Sequence, residues 1–322
     1  MNNKLNAVIL DGYTENPGDL SWEYLESVLN LKVYDRTPPE LVIERAKNAE
    51  IVIVNKVAIT KDILNELPKL KFVATLATGY NQLDVAALRE RNIPVSNIPS
   101  YSTNAVAQTV FSFILEFTNR VGHYTESVKS GEWSDCKDFC YWNTPLNELD
   151  SKTLGIIGFG KIGRRVSEIA LSFNMNVLVY TPSGKKNADE RIKFTTLEEV
   201  QKNSDYITLH CPLTEKTNEL INADFISKMK TGASLINTAR GLVINEKAVA
   251  DALNSGKLSY FGADVLSTEP PKKDNPLLSS KNTFITPHIA WAAFETRQRL
   301  LEILNGNIKA FLEGSPINVV NM

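Results

Sequence analysis

The chain has 322 residues, 43% hydrophobic and 22% charged, the proportions of a soluble globular protein with room for two ordinary domains. Lys and Arg total 35 against 37 acidic residues, so no bulk field favours nucleic acid or an anionic membrane. The opening MNNKLNAVILDGY lacks the apolar run of a secretory leader, no segment reads as a bilayer span, and a cytoplasmic location is expected.

Residues 5–11 (LNAVILD) and 51–54 (IVIV) read as buried strands, with a helical pattern around Leu41–Asn48 between them. A further strand, 71–76 (KFVATL), runs into the turn Ala77-Thr78-Gly79-Tyr80-Asn81, and Ile93-Pro94-Val95 begins another. Such alternation marks a parallel sheet. After Pro99 comes one long helix, TNAVAQTVFSFILEFTNRV, apolar on most of its circumference and so expected to lie buried between domains or between subunits. Beyond it, Cys136 and Cys140 lack the second Cys or His pair that zinc requires; with three cysteines in all, neither a disulfide framework nor a metal site is expected.

A second alternation begins at Thr153. Apolar strands at 154–158, 176–180, 205–209, 233–237, 259–264 and 283–287 are separated by amphipathic segments such as 162–174 and 244–255. Six such units predict a doubly wound sheet with its own nucleotide crevice. The tail 291–313 reads as a helix that packs back on the first domain. The expected class is α/β, with two Rossmann-like parallel-sheet domains, one flavodoxin-like and one dinucleotide-binding, and a cleft between them. Residues 1–100 plus 290–322 form the substrate-binding domain and 101–289 the nucleotide-binding domain.

Chemistry concentrates at strand ends. Gly158-Phe159-Gly160-Lys161-Ile162-Gly163 follows the strand TLGII and opens the amphipathic run IGRRVSEIALSF, the strand–turn–helix setting of a dinucleotide fingerprint. Its first two glycines permit a tight turn close to a pyrophosphate, Gly163 permits close helix–strand packing, and the helix N-terminus offers free N–H groups. The next strand, NVLVY, ends at Thr181 with Pro182 and Ser183 behind it, where an acidic residue usually grips the adenosine ribose. Later strands end in His210-Cys211-Pro212, Thr238-Ala239-Arg240-Gly241, Asp264 and His288. Singly, each has a bland account: Asp264 caps a turn, or His210 bonds backbone. Five successive strands delivering polar groups to one rim point instead to a ligand site.

INTARGLVINEKAV, GADVLSTEPP and ITPHIAWA resemble the three motif blocks of the D-isomer-specific 2-hydroxyacid dehydrogenases, and GFGKIG and LHCPLTEKT fit the same family. The resemblance covers essentially the whole chain, and LDGYTENPGDLSW and ATGYNQLDVAA are most similar to the glycerate dehydrogenase, or hydroxypyruvate reductase, branch. It implies that Arg240 holds the substrate carboxylate and 2-oxo group with its planar fork. His288 would donate a proton to the ketone oxygen as hydride reaches C2. Glu269 would bond the other imidazole nitrogen, fixing the ring and favouring its charged form. Backbone N–H groups of Ala77, Thr78 and Gly79 would complete the carboxylate site, Trp291 would wall the pocket, and domain closure would exclude water. His210, the rival acid, would contact the cofactor with Cys211, Pro212, Thr238, Ala239 and Asp264.

The resemblance also bears on cofactor and assembly. Many NAD-using members carry Asp where Thr181 stands. A neutral Thr removes its repulsion of a 2′-phosphate, Ser183 adds a hydroxyl, and Lys185 or Lys186 adds charge, so NAD(H) and NADP(H) both remain open. Residues 101–150 would form the dimerisation helix and arm of a homodimer. The expected activity is NAD(P)-dependent reduction of hydroxypyruvate or glyoxylate to D-glycerate or glycolate. Alternatives are 3-phosphoglycerate dehydrogenase, formate dehydrogenase (which has Gln at the place of Glu269), and a dinucleotide-sensing scaffold or corepressor on the same fold.

Overall fold

The computed structural model describes residues 4–184 and 188–322. Short β-branched runs bounded by turn residues build its first unit, Met1–Tyr101 with Ala292–Met322. Strands β1 (Asn6–Ile9), β2 (Asn30–Val33), β3 (Ile51–Val54), β4 (Phe72–Thr75) and β5 (Val95–Ser96) form a parallel sheet in the order β2-β1-β3-β4-β5. Every residue of β3 and β4 is buried, as central parallel strands covered on both faces require. β2 escapes the sequence reading because it is an edge strand. Its NLKV alternates exposed and half-buried residues, and only β1 pairs with it.

The C-terminal helix Phe294–Leu312 belongs to this unit. Phe311 stacks on Phe72 with 4.4 Å between ring centroids, and Arg297 grips the Asp19 carboxylate through two nitrogens at 2.7 and 2.6 Å. Beyond β1, Asp11 accepts the backbone N–H groups of Asn55, Lys56 and Val57, fixing the loop after β3. Beside it Glu15 is fully buried, bonded to Asn55 Nδ2 at 2.5 Å and to the Thr14 hydroxyl. Burial, helped by the like charge of Asp11, outweighs those bonds and pushes its carboxyl up to about 8.

The second unit, Ser102–Trp291, holds seven parallel strands rather than six. They are β6 (Thr153–Ile157), β7 (Asn176–Tyr180), β8 (Ile192–Phe194), β9 (Tyr206–Leu209), β10 (Ala233–Asn237), β11 (Leu258–Ala263) and β12 (Thr283–Ile285), ordered β12-β11-β10-β9-β6-β7-β8. β8 was not anticipated: it has three residues, sits at an edge and buries only Ile192. The long helix, Thr103–Asn119, stops two residues early. Arg120 turns the chain with φ 52, and a second helix, Val121–Lys129, follows. Its apolar circumference is buried inside this unit, where Val110, Phe111, Ile114 and Phe117 join Leu154, Ile156, Val166 and Ala170 in one core. Among the described residues no helix is long and apolar enough to cross a membrane, and no group of His, Cys, Asp or Glu side chains is placed to hold a metal.

Candidate active site

In the second sheet the strand order reverses between β6 and β9, the switch point where open α/β sheets bind ligands. Gly158, directly after β6, has φ +98, and a Cβ there would lie 2.5 Å from the His210 carbonyl group. A Cβ on Gly163 would lie 2.3 Å from the Gly158 oxygen, so this glycine lets the helix Lys161–Ser172 start on top of the turn. One on Gly160 would meet no atom of the described residues within 4 Å, so their packing does not demand that glycine. The first helical bond runs from the Arg164 amide to the Gly160 carbonyl. The amides of Lys161, Ile162 and Gly163 therefore precede the ladder, at the positive end of the helix. These features fit a bound pyrophosphate.

At the end of β7, Thr181 Oγ1 lies 3.1 Å from Ser183 Oγ, and the Gly184 N–H closes the turn on the Thr181 carbonyl. Lys185 and Lys186 lie outside the described residues. At the end of β9, Thr208 Oγ1 meets His210 Nε2 at 3.0 Å, and burial pushes the imidazole down to about 3. His210 is therefore held neutral at physiological pH. Burial pushes the neighbouring Cys211 thiol up, away from the reactive thiolate.

Asn237, the last residue of β10, shapes the next turn. Its Oδ1 accepts the Ala239 N–H at 3.0 Å and its Nδ2 donates to the Arg240 carbonyl at 2.9 Å. The Arg240 side chain is exposed and bonds the Ala239 carbonyl at 2.7 Å; among the described residues no carboxylate pairs with it. Its remaining donors are free for an anion. Thr238 Oγ1 is buried with no hydrogen-bond partner among the described residues. Buried hydroxyls nearly always have one, so a partner from outside the chain fits here. A Cβ on Gly241 would lie 1.9 Å from the Leu266 carbonyl carbon, so the Arg240 turn rests directly on the loop that leads to Glu269.

Glu269 Oε2 lies 2.6 Å from His288 Nδ1, while its Oε1 accepts the Leu266 N–H at 3.1 Å. Nδ1 is thereby engaged, leaving Nε2 as the other ring nitrogen. The two side chains are 35% and 30% exposed, open enough to meet a small substrate. His288 itself has φ 56. Its segment is held by Asp264, 2% exposed at the end of β11, which accepts the Thr286 hydroxyl at 2.6 Å and the N–H groups of Ile289 and Ala290 at 2.8 and 2.9 Å. Both its oxygens thus bind the segment that presents the imidazole.

Trp291 is half-buried at the close of this unit. Ala77, Thr78 and Gly79 follow β4 in the first unit, where the Ala77 carbonyl accepts the Ile98 N–H and the Thr78 hydroxyl donates to the Ile98 carbonyl at 2.7 Å. Sequence reasoning passed over Glu246, and over Thr208 and Asn237, which bond the His210 ring and the Arg240 turn. Their signal was slight: short polar or acidic residues beside strand and helix ends, a pattern shared with ordinary turns.

Residues 111–290 match the family model for the NAD-binding domain of the D-isomer specific 2-hydroxyacid dehydrogenases. The chain is 46% identical over 323 residues to a hydroxypyruvate reductase of Blautia hydrogenotrophica, covering 98% of this chain and all of that protein. Among solved structures it is similar to D-lactate dehydrogenase from Aquifex aeolicus complexed with NAD and lactic acid, with TM-score 0.86, 32% identity and coverage of 98% and 99% of the two chains. An acyclic imino acid reductase in complex with NADPH and D-Arg gives TM-score 0.85, 31% identity and the same coverage. With its glycine turn at the switch point and its paired glutamate and histidine, the chain belongs to the D-isomer-specific 2-hydroxyacid dehydrogenase family, and is an oxidoreductase of 2-hydroxy acids that binds NAD(H) or NADP(H).

Proposed function

We propose that the enzyme reduces a small 2-oxo acid, hydroxypyruvate or glyoxylate, to D-glycerate or glycolate, with His288 as acid and base. The 2.6 Å contact between Glu269 and His288, on a loop packed against the Arg240 turn, carries this reading. The reduced nicotinamide, when bound, supplies hydride to C2 of the substrate. Gly158, Gly160, Lys161, Ile162 and Gly163 would hold its pyrophosphate, with Thr238 Oγ1 as a further contact. Arg240 fixes the carboxylate and polarises the ketone, since a guanidinium fork binds two oxygens at defined angles. His288 Nε2 delivers its proton to the ketone oxygen. Glu269 holds Nδ1 and so fixes the orientation and tautomer of the ring through the transfer. In the oxidative direction the same Nε2 takes the hydroxyl proton. We assign backbone donation to the substrate carboxylate to Ala77, Thr78 and Gly79 of the first unit, and wall contacts to Trp291.

The relative from Blautia hydrogenotrophica, named for hydroxypyruvate reduction, supports the substrate choice. Thr181 and Ser183, in place of a carboxylate, support acceptance of NADPH, and the NADPH complex of the imino acid reductase shows that a similar chain takes it. Trp133, Phe139, Trp142 and Leu146 lie exposed on the segment after the second helix, Phe139 by 89%, which supports a homodimer joined there. A sensing scaffold would need none of Arg240, Glu269 or His288 and is not favoured. Mixing protein, NADH or NADPH and a panel of 2-oxo acids, and following loss of the reduced-nicotinamide absorbance, tests the reading. Turnover of hydroxypyruvate or glyoxylate ahead of bulkier 2-oxo acids is expected; cofactor binding without turnover of any would defeat it.

A further inference from the structure

We propose that Glu246 is a positioning residue that holds the loop bearing Glu269 against the turn bearing Arg240, an assignment that rests on the reaction proposed above. Glu246 opens the helix Glu246–Asn254, soon after the Arg240 turn. An acid in a first helical turn is commonplace, because it complements the helix dipole. Here the carboxylate bonds elsewhere. Its Oε1 accepts the Ser267 N–H at 2.7 Å, and its Oε2 accepts the Ser267 hydroxyl at 2.8 Å and Asn275 Nδ2 at 2.9 Å.

Ser267 and Asn275 bracket Glu269 on a stretch with neither helix nor strand, so no ladder of backbone bonds fixes it. The base from which Glu246 reaches is rigid. Leu242 and Val243 carbonyls accept the N–H groups of Glu219 and Ile221, the Ile221 carbonyl accepts that of Asn245, and Asn245 Oδ1 caps the helix at 2.9 Å. On the loop side, Asn275 Oδ1 accepts the Leu277 N–H, and Leu277 is fully buried in the core. With the Gly241 contact on Leu266, one carboxylate thus ties the anion-binding turn to the loop that orients the acid. Glu246 touches no reacting atom in this scheme; it acts through Glu269.

The test is a double-mutant cycle on the full-length enzyme, assayed for 2-oxo acid reduction. Glu246→Ala is expected to lower kcat by about tenfold or more while leaving KM for the dinucleotide within about twofold, because small misplacement of a catalytic group is costly. Glu246→Gln, which keeps one acceptor oxygen, should recover part of the loss. In a Glu269→Gln background the same Glu246→Ala change should alter kcat by less than about twofold, since the group it positions has gone. Equal losses in both backgrounds, or a lowered Tm with kcat unchanged, would overturn the role. If Glu246→Ala does not fold, Ser267→Ala combined with Asn275→Ala removes two of the three bonds from the loop side and carries the same expectations. Undiminished turnover in Glu269→Gln overturns the reading of the site itself, whereas a crippled Glu269→Gln beside a normal Glu246→Ala overturns only the role of Glu246.

Discussion

Three histidines stand in the chain, and their surroundings separate them. His210 is desolvated and neutral. His123 bonds Asn143 Oδ1 at 2.8 Å among exposed residues, and only His288 has a carboxylate partner. His288→Ala should therefore lower kcat by at least about a thousandfold, while His210→Ala should leave the pH profile of kcat in place. Arg240→Ala should raise KM for the 2-oxo acid as well as lower kcat, on the proposed role of its fork in both binding and polarising the substrate. At the other end of the dinucleotide, Thr181→Asp places a negative charge where a 2′-phosphate would lie. It should cut kcat/KM for NADPH at least about tenfold, roughly 1.4 kcal/mol, without lowering that for NADH. A parent preference for NADH above about a hundredfold would sink the NADPH reading. At this scale the sequence pointed to Arg240 and His288 at strand ends, and to Glu269 only through the family resemblance. It passed over Asn237 and Glu246, and named Asp264 without its partners, because their bonds reach loops that no local pattern encodes.

Strands and helices were legible in proportion to their burial. β3, β4, β9 and β10 are buried at every residue and read as unbroken apolar runs, whereas β2 and β8 lie at sheet edges and carry polar side chains that blur any period. The break at Arg120 was invisible for a different reason. The nearby Gly122 lies inside the second helix rather than at the break, and Arg120 takes the left-handed conformation while its guanidinium lies over the rings of Tyr260 and Phe284, at 5.7 and 5.6 Å. The turn between β6 and its helix shows how tightly two elements can be bound. Gly158→Ala would set a methyl group against the His210 backbone and impose a positive φ on alanine. A loss of about 1–3 kcal/mol is expected, read as a lower urea midpoint, together with a raised KM for the dinucleotide.

On the scale of the whole molecule, the stability of the first unit depends on Glu15. Its folded pKa of about 8 lies above the ordinary 4.5, so the fold favours the protonated form. Below pH 4.5 both states are protonated and the group has no effect; as pH rises towards 8 the unfolded chain ionises first, and stability falls. The deficit is on the order of 3 kcal/mol at pH 7. Glu15→Gln, an uncharged isostere that can still accept from Asn55, should match the parent in urea near pH 5 and exceed it near pH 8. No gain at the higher pH would show that Glu15 is ionised in the folded state. The same unit has another property that follows from its discontinuous chain. β4 needs Phe311 and Asp19 needs Arg297, both on the closing helix, while the second unit is one unbroken stretch. During synthesis the inserted unit can therefore mature while the segment made before it waits, half-built, for the last residues to leave the ribosome. A nascent chain stalled once Trp291 has cleared the ribosome should thus resist protease across its later half and be cut readily in its earliest hundred or so residues.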